Sequence, residues 1–231
     1  TVAYTGGVNL ADEYINAEQR FGYWKDSGVC LEGEGAWGLT ASFIRMCVNL
    51  GGVMHNEHDY YRPHTPVKSE GFCQPFTDGP QNNPDNPAED VFLQMISGAR
   101  RFLYITTPYF IPDESLMRAL CIAGDGGVDV RLMLPGKPDH WYADCVAESY
   151  FGELIKHGVK VYRYTPGFLH GKSIMVDREA AFVGSANMDY RSFELDYECG
   201  VMVYSVPMIE SLLEDMDMIV DRSHLVTAEE W

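Results

Sequence analysis

Apolar positions along this chain change period in an ordered way. Over 88–99 they recur at helical spacing, and a short apolar run, Phe102 to Thr106, follows. Helical spacing returns over 113–123 and ends at Gly124 or Gly126, before the run Val128 to Leu134. A third helical stretch, 142–156, stops at His157-Gly158 and gives way to Val159 through Tyr164. Then helical periodicity ceases. Short runs at 172–177, 180–184 and 199–204 predict strands, and an amphipathic stretch from about Pro207 to Arg222 predicts a closing helix. Such alternation predicts an α/β fold, a mixed sheet flanked by helices.

Upstream, "TDGPQNNPDNPAED" (77–90) is crowded with Pro, Asn and Gln and reads as a linker. It closes as a helix start, with Asn86 as N-cap and Pro87 at the first helical position. The first 76 residues make sense when set against the end of the chain. "VAYTGGVNL" (2–10) lies on "AAFVGSANM" (180–188) without a gap, so Gly6 falls on Gly184, Gly7 on Ser185 and Asn9 on Asn187. "DSGVCL" (26–31) likewise lies on "ECGVMV" (198–203), which sets Asp26 against Glu198. Two matching blocks in the same order indicate an internal repeat. The expected organisation is two tandem lobes: the remainder of a first lobe over 1–76, a linker over 77–90, and a second lobe over 91–231. The first lobe is expected to be truncated at its N-terminus, because the counterparts of His170, Lys172 and Asp177 would fall before Thr1.

Composition narrows the function. Hydrophobic residues make up 46% of the 231 residues, enough for a full core. No apolar run is long enough to span a bilayer, and the start does not resemble a signal peptide. A formal charge of −17 argues against non-specific nucleic-acid binding and against adsorption to anionic lipid by charge alone. Six scattered cysteines, with no C-x-x-C pair, read as free thiols packed in a reducing compartment, not as a disulfide framework or a zinc site.

The chemistry concentrates in "LHGKSIMVDREAAFVGSAN" (169–187). On a strand, His170 and Lys172 would share a face with Gly171 turned away. The turn Gly184-Ser185-Ala186-Asn187 brings a hydroxyl and an amide towards the same spot, and its small residues allow close approach to a ligand. An imidazole titrating near neutrality can serve as nucleophile or general acid, and a Lys and an Asn beside it suit a phosphate group. A lone His-x-Lys or a lone Gly-Ser-x-Asn is ordinarily structural. Their fixed spacing, with the second half echoed at Gly7 and Asn9, points to chemistry instead.

His170-x-Lys172-x4-Asp177-x6-Gly184-Ser185-x-Asn187 resembles the signature of the phospholipase D superfamily. "ITTPYFIPDESLMRAL", "GVDVRLMLPGKPDHWYAD", "NMDYRSFELDYECG" and, nearer the start, "GGVNLADEY" and "YWKD" are similar to bacterial cardiolipin synthases. The resemblance implies a phosphatidyltransferase with two α/β lobes, the active site between them, and one His-x-Lys from each. It implies transfer between two phosphatidylglycerols, giving cardiolipin and glycerol through a phosphohistidine, with no metal and no cofactor. His170 would be the acid/base and the first-lobe His the nucleophile. Ser185, Asn187, Gly7 and Asn9 would hold phosphate. Glu198 would fix the ring of His170 and raise its pKa, with Asp26 as its first-lobe equivalent. Asp177 belongs to the motif but sits past the strand end, where holding the turn is its expected role. The partners implied are phosphatidylglycerol and membrane lipid, no nucleic acid, and an N-terminal part of the same protein. The place implied is the cytoplasmic side of a bacterial cell membrane.

Three further stretches bear weighing. Tyr109, after the strand at 102–106, and Asp139 and His140, after the strand at 128–134, follow strand carboxyl ends, where α/β proteins put ligand loops, so they are candidates for a substrate pocket. "HNEHDYYRPH" (55–64) has the density of a divalent-metal site, but its polar, Pro-containing character favours a solvated connection. A phosphodiesterase or nuclease of the same superfamily, or a fragment that folds without activity, are the alternatives to the synthase.

Overall fold

In the computed structural model, which describes residues 2–54, 67–68, 71–80, 86–204 and 207–230, the apolar runs become strands of one sheet. The strands are β1 (Val2–Gly6), β2 (Tyr23–Lys25), β3 (Gly28–Glu32), β4 (Phe72–Asp78), β5 (Phe102–Thr106), β6 (Phe110–Ile111) and β7 (Asp129–Pro135). They continue as β8 (Lys160–Tyr164), β9 (Gly167–Leu169), β10 (Ser173–Val176), β11 (Ala180–Gly184), β12 (Met188–Asp189), β13 (Glu198–Tyr204) and β14 (Ser223–Leu225). Eight of them form a mixed sheet in the order β14-β8-β7-β5-β10-β11-β13-β4. The β5, β7 and β8 strands run parallel, as their helical crossovers require, and the remaining pairings in this sheet are antiparallel.

Strand alternation divides the core in two. Leu103, Ile105, Ile174 and Phe182 pack with the helices Pro87–Gly98, Glu114–Asp125 and Phe151–Lys156. Tyr104, Met175 and Val183 turn the other way, towards the helix Met208–Asp221. Phe92 meets Phe182 edge-on at 5.0 Å, and full burial of a side chain of this size contributes roughly 2–3 kcal/mol.

The repeat read in the sequence reappears as geometry. In the hairpin of β1 and β3, Gly6 lies opposite Gly28 and Val2 opposite Glu32. In β11 and β13 the aligned residues pair identically: Gly184 opposite Gly200 and Ala180 opposite Tyr204. The first hairpin leans on the main sheet, where Thr5 Oγ1 and Cys199 Sγ are hydrogen-bonded at 2.8 Å. Phe72–Asp78, which crosses residue 76, pairs with β13 as an edge of the main sheet.

Four local expectations need correction. The helix expected over 142–156 is two, Trp141–Ser149 and Phe151–Lys156, because Tyr150 closes a tighter turn, its N–H bonding Ala147 O at 3.1 Å. Its ring packs edge-on against Phe110. Asn86 occupies the N-cap position ahead of Pro87 as expected, but its side chain makes no capping bond; at φ 32° it donates to Glu89 and Glu194 instead. The buried Asp78 does that work from ten residues away, accepting from Ala88 N at 2.9 Å. The strand expected over 172–177 begins only at Ser173, so His170, Gly171 and Lys172 lie in the connection from β9 to β10. Of the six cysteines only Cys121 is buried, while Cys30, Cys73 and Cys145 are exposed. Cys30 lies between buried Val29 and Leu31 on β3, and strand alternation turns a residue in that position outwards. The 55–64 stretch lies outside the described residues.

Candidate active site

Backbone pairing places the His-x-Lys segment against the first part of the chain. The β2 strand runs parallel to β9, and His170 N donates to Lys25 O at 2.7 Å. Asn16 clamps β2 from the other side, accepting from Trp24 N and donating to Trp24 O. Gly171 sits over Ser27, whose Oγ is 2.9 Å from where a Cβ would stand. Ser27 Oγ also meets Ser173 Oγ at 3.1 Å. A side chain at residue 171 would wedge the two segments apart.

The imidazole of His170 is held by Asp26. Nδ1 donates to Asp26 Oδ2 at 2.8 Å, which leaves Nε2 unprotonated, and Lys172 Nζ lies beside both ring nitrogens, 3.0 Å from Nδ1 and 2.9 Å from Nε2. Lys172 Nζ also donates to the His170 carbonyl at 2.6 Å. Both side chains thus converge although neither is on a strand. Tyr14, Trp24 and Phe168 wall the ring, with centroids 5.1, 5.2 and 5.7 Å away. Gly7 completes the floor. A Cβ there would lie 2.5 Å from Asp26 Oδ1 and 3.1 Å from Lys172 Nζ.

This arrangement corrects the expected partner of His170. The carboxylate comes from Asp26, in the first copy of the repeat, and not from Glu198. Glu198 instead accepts from Ser185 Oγ, which also accepts from Cys199 N at 2.9 Å. The expected rise in the His170 pKa is reversed too. Burial pushes the imidazole below its ordinary value, and the hydrogen bond that it donates to Asp26 only partly offsets this. Burial likewise brings Lys172 down to about 7, against the opposing pull of Asp26, Glu198, Asp189 and Asp139. Glu198 and Asp189 are pushed up by burial. One His and one Lys therefore stand among four carboxylates.

The remaining candidates fall at graded distances from this centre. Asn9 donates to Tyr14 OH at 2.8 Å and so supports the wall of the ring. Asn187 lies on the Ser185 and Glu198 side, with its Oδ1 buried and unpartnered. Tyr109 OH donates to Asp139 Oδ2 at 2.6 Å, and its ring is 6.4 Å from Phe168. His140 is half-exposed beside Asp139, 3.6 Å away. Asp177 is remote from the chemistry. Its carboxylate accepts from Arg100, Arg101 and Phe102 N–H, each at 2.8 Å, so it fastens a turn through backbone hydrogen bonds. Burial raises its pKa, but those three donors outweigh burial and hold the group below the usual carboxylate range. The sequence reading missed Tyr14, Trp24 and Phe168. The aromatic cluster Phe21, Tyr23, Trp24 beside a polar stretch was the available signal.

Residues 92–220 match the family described as cardiolipin synthase, PLD-like domain. The chain is 37% identical to a cardiolipin synthase of Halalkalibacterium halodurans over 232 aligned residues, covering 100% of this chain and 46% of that protein. It is also 37% identical to an uncharacterized protein of Streptococcus mutans, covering 98% of this chain and 49% of the other. The chain thus spans about half the length of the curated relatives it matches. Among solved structures, phosphatidylserine synthase of Haemophilus influenzae superposes with a TM-score of 0.67 at 15% identity, over 97% of this chain and 61% of that one. Nuc of Salmonella typhimurium, a phospholipase D family member, superposes with a TM-score of 0.58 at 22% identity, over 68% of this chain and 99% of that one. These two likenesses establish the fold.

Proposed function

We propose, for a chain that belongs to the phospholipase D superfamily through its cardiolipin synthase PLD-like domain, that it supplies one half of a phosphatidyl-transfer site. The single observation that carries this reading is the crossed pairing of His170 with Asp26. By the repeat, Glu198 is the counterpart of Asp26, and its carboxylate is buried with Ser185 as its side-chain donor. A second His, delivered by the segment preceding β1, would take from Glu198 what His170 takes from Asp26. The accompanying Lys would balance the four carboxylates and complete the cradle for phosphate oxygens.

The donor would be phosphatidylglycerol. The upstream His attacks phosphorus, the bond to the headgroup glycerol oxygen breaks, and that oxygen takes the Nε2 proton of His170, which enters this step in its minority, protonated form. A hydroxyl of a second phosphatidylglycerol then loses its proton to His170 and attacks phosphorus, releasing the first His and forming cardiolipin. Asp26 keeps Nδ1 protonated throughout, so the exchanging proton is always at Nε2. In this reading Lys172, Asn187 and the backbone at Gly7 would hold the non-bridging oxygens. We place the complete protein on the cytoplasmic side of a bacterial membrane. Among the described residues no helix is long and apolar enough to cross it.

The deciding experiment assays the purified chain on phosphatidylglycerol vesicles, alone and mixed with a separately made upstream segment carrying a His-x-Lys. The expected result is no turnover alone and cardiolipin plus glycerol on mixing. Activity of the chain alone that rises with the square of its concentration would replace the upstream segment with a second copy. Phosphatidic acid as the sole product would make the protein a hydrolase.

A further inference from the structure

A second cluster of chemistry-bearing side chains stands apart from the site above. The helix Glu114–Asp125 presents Cys121 and, one turn on, Asp125. The helix Phe151–Lys156 presents Glu153, and His157 follows one turn later as its C-cap. The two helices pack together, and donor atoms of Cys121, Glu153 and His157 all lie within 4.8 Å of one another. Asp125 Oδ2 is 2.9 Å from His157 Nδ1. Two i, i+4 pairs on adjacent helices thus bring a thiol, an imidazole and two carboxylates together.

We propose that Cys121, Glu153 and His157 bind a borderline-soft divalent transition ion, zinc by preference, with Asp125 fixing the imidazole. The donor set is the reason. Sulfur and imidazole nitrogen together select zinc and its neighbours over magnesium or calcium, which take oxygen ligands. Metal-ligating imidazoles ordinarily give their other ring position to a carboxylate, the part Asp125 is placed to play. Cys121 is the second observation. It is the one buried cysteine, 5% exposed, and its thiol makes no hydrogen bond among those of the described residues. On binding, the thiol proton leaves to solvent and the sulfur becomes a ligand.

The ion would hold three protein ligands and solvent in its fourth position, and its place in the fold sets it apart from the active site. Asp125 and His157 precede β7 and β8, at the amino ends of the parallel strands, whereas Asp139 and the His170 segment lie at their carboxyl ends. There it would tie together two helices whose junction is already close-packed: a Cβ on Gly124 would come within 2.2 Å of the His157 carbonyl oxygen.

The experiment titrates the chelator-treated chain with cobalt(II) as a spectroscopic stand-in, then displaces it with zinc. The expected result is one cobalt per chain with a thiolate-to-cobalt charge-transfer band, lost when zinc is added. Cys121→Ser should abolish the band and weaken zinc binding at least 10-fold. Asp125→Asn should keep the band but weaken binding roughly 10-fold to 100-fold, as loss of an orienting carboxylate commonly does. A variant with His55, His58 and His64 all replaced by Ala should bind as the parent does, which separates this site from the 55–64 stretch. Absence of the band, or a band that survives in Cys121→Ser, would overturn the proposal. Circular dichroism of each variant shows whether it remains folded. If Cys121→Ser does not, the band's dependence on His157→Gln decides instead.

Discussion

Asp26 and Glu198 are equivalent in the repeat but should answer differently to substitution. Asp26→Asn removes the acceptor that keeps His170 Nδ1 protonated and its ring in place. In the reconstituted protein kcat should fall about 100-fold or more, and the imidazole titration followed by NMR should move to still lower pH, because Asp26 opposes the burial that depresses it. An unchanged titration would separate the two residues. Glu198→Gln should leave that titration where it is. The depressed His170 is neutral in the folded protein near neutrality, so the unfolded chain binds the extra proton first. Its contribution to stability is therefore present above its ordinary pKa and lost as pH falls. Lys172, brought down to about 7, is charged below that pH and neutral above it. Inorganic phosphate should accordingly bind better at about pH 6 than at about pH 8, and isothermal titration that shows no such trend would contradict the assignment. The meeting of His170, Lys172 and Gly7 could be read from the chain, since they declare themselves by spacing. The partner of His170 could not. It lies 144 residues away, and an aligned pair of acids does not say which one reaches across.

Elements were legible where a segment's own periodicity decides its state, and illegible where a distant group does. Leu103, Ile105 and their neighbours announce a central strand, and the two copies of the repeat prove to share one pairing register. The break at Tyr150 and the capping of the helix Pro87–Gly98 depend on contacts with Phe110 and Asp78, which no local pattern carries. Asp78→Ala should therefore destabilise the chain by about 1–2 kcal/mol, the usual range for a lost cap, although residue 78 is in a strand. Urea unfolding measures this, and a change within error would return the cap to Asn86. Asp177 offers a sharper case at the turn from β10 to β11. Asp177 and Arg178 both hold positive φ, 53° and 60°, and Glu179 N closes the turn on Val176 O. Three backbone donors on one carboxylate offset that strain. Asp177→Asn should cost about 3 kcal/mol while leaving the His170 titration unmoved. The depressed pKa of Asp177 adds an acid limb: its stabilisation is present above the unfolded value and lost as pH falls through the folded one.

At the scale of the whole molecule, charge and fold pull in different directions. A net charge of −17 repels anionic vesicles, so any association with phosphatidylglycerol surfaces must come from apolar or site-specific contact. Retention on such vesicles in a flotation assay should hold or rise as salt is added; a steep loss with salt would reveal a basic surface that the composition hides. The crossed carboxylate also has a consequence for biosynthesis. A ribosome makes Asp26 before His170, with a separation of 144 positions. During all that time neither residue has its partner, and an unoriented imidazole is a poor catalyst for cleaving phosphodiesters. Chains terminated before His170 would therefore be harmless to the lipids they meet, because the imidazole is oriented only when the segment that carries it has folded back onto Asp26.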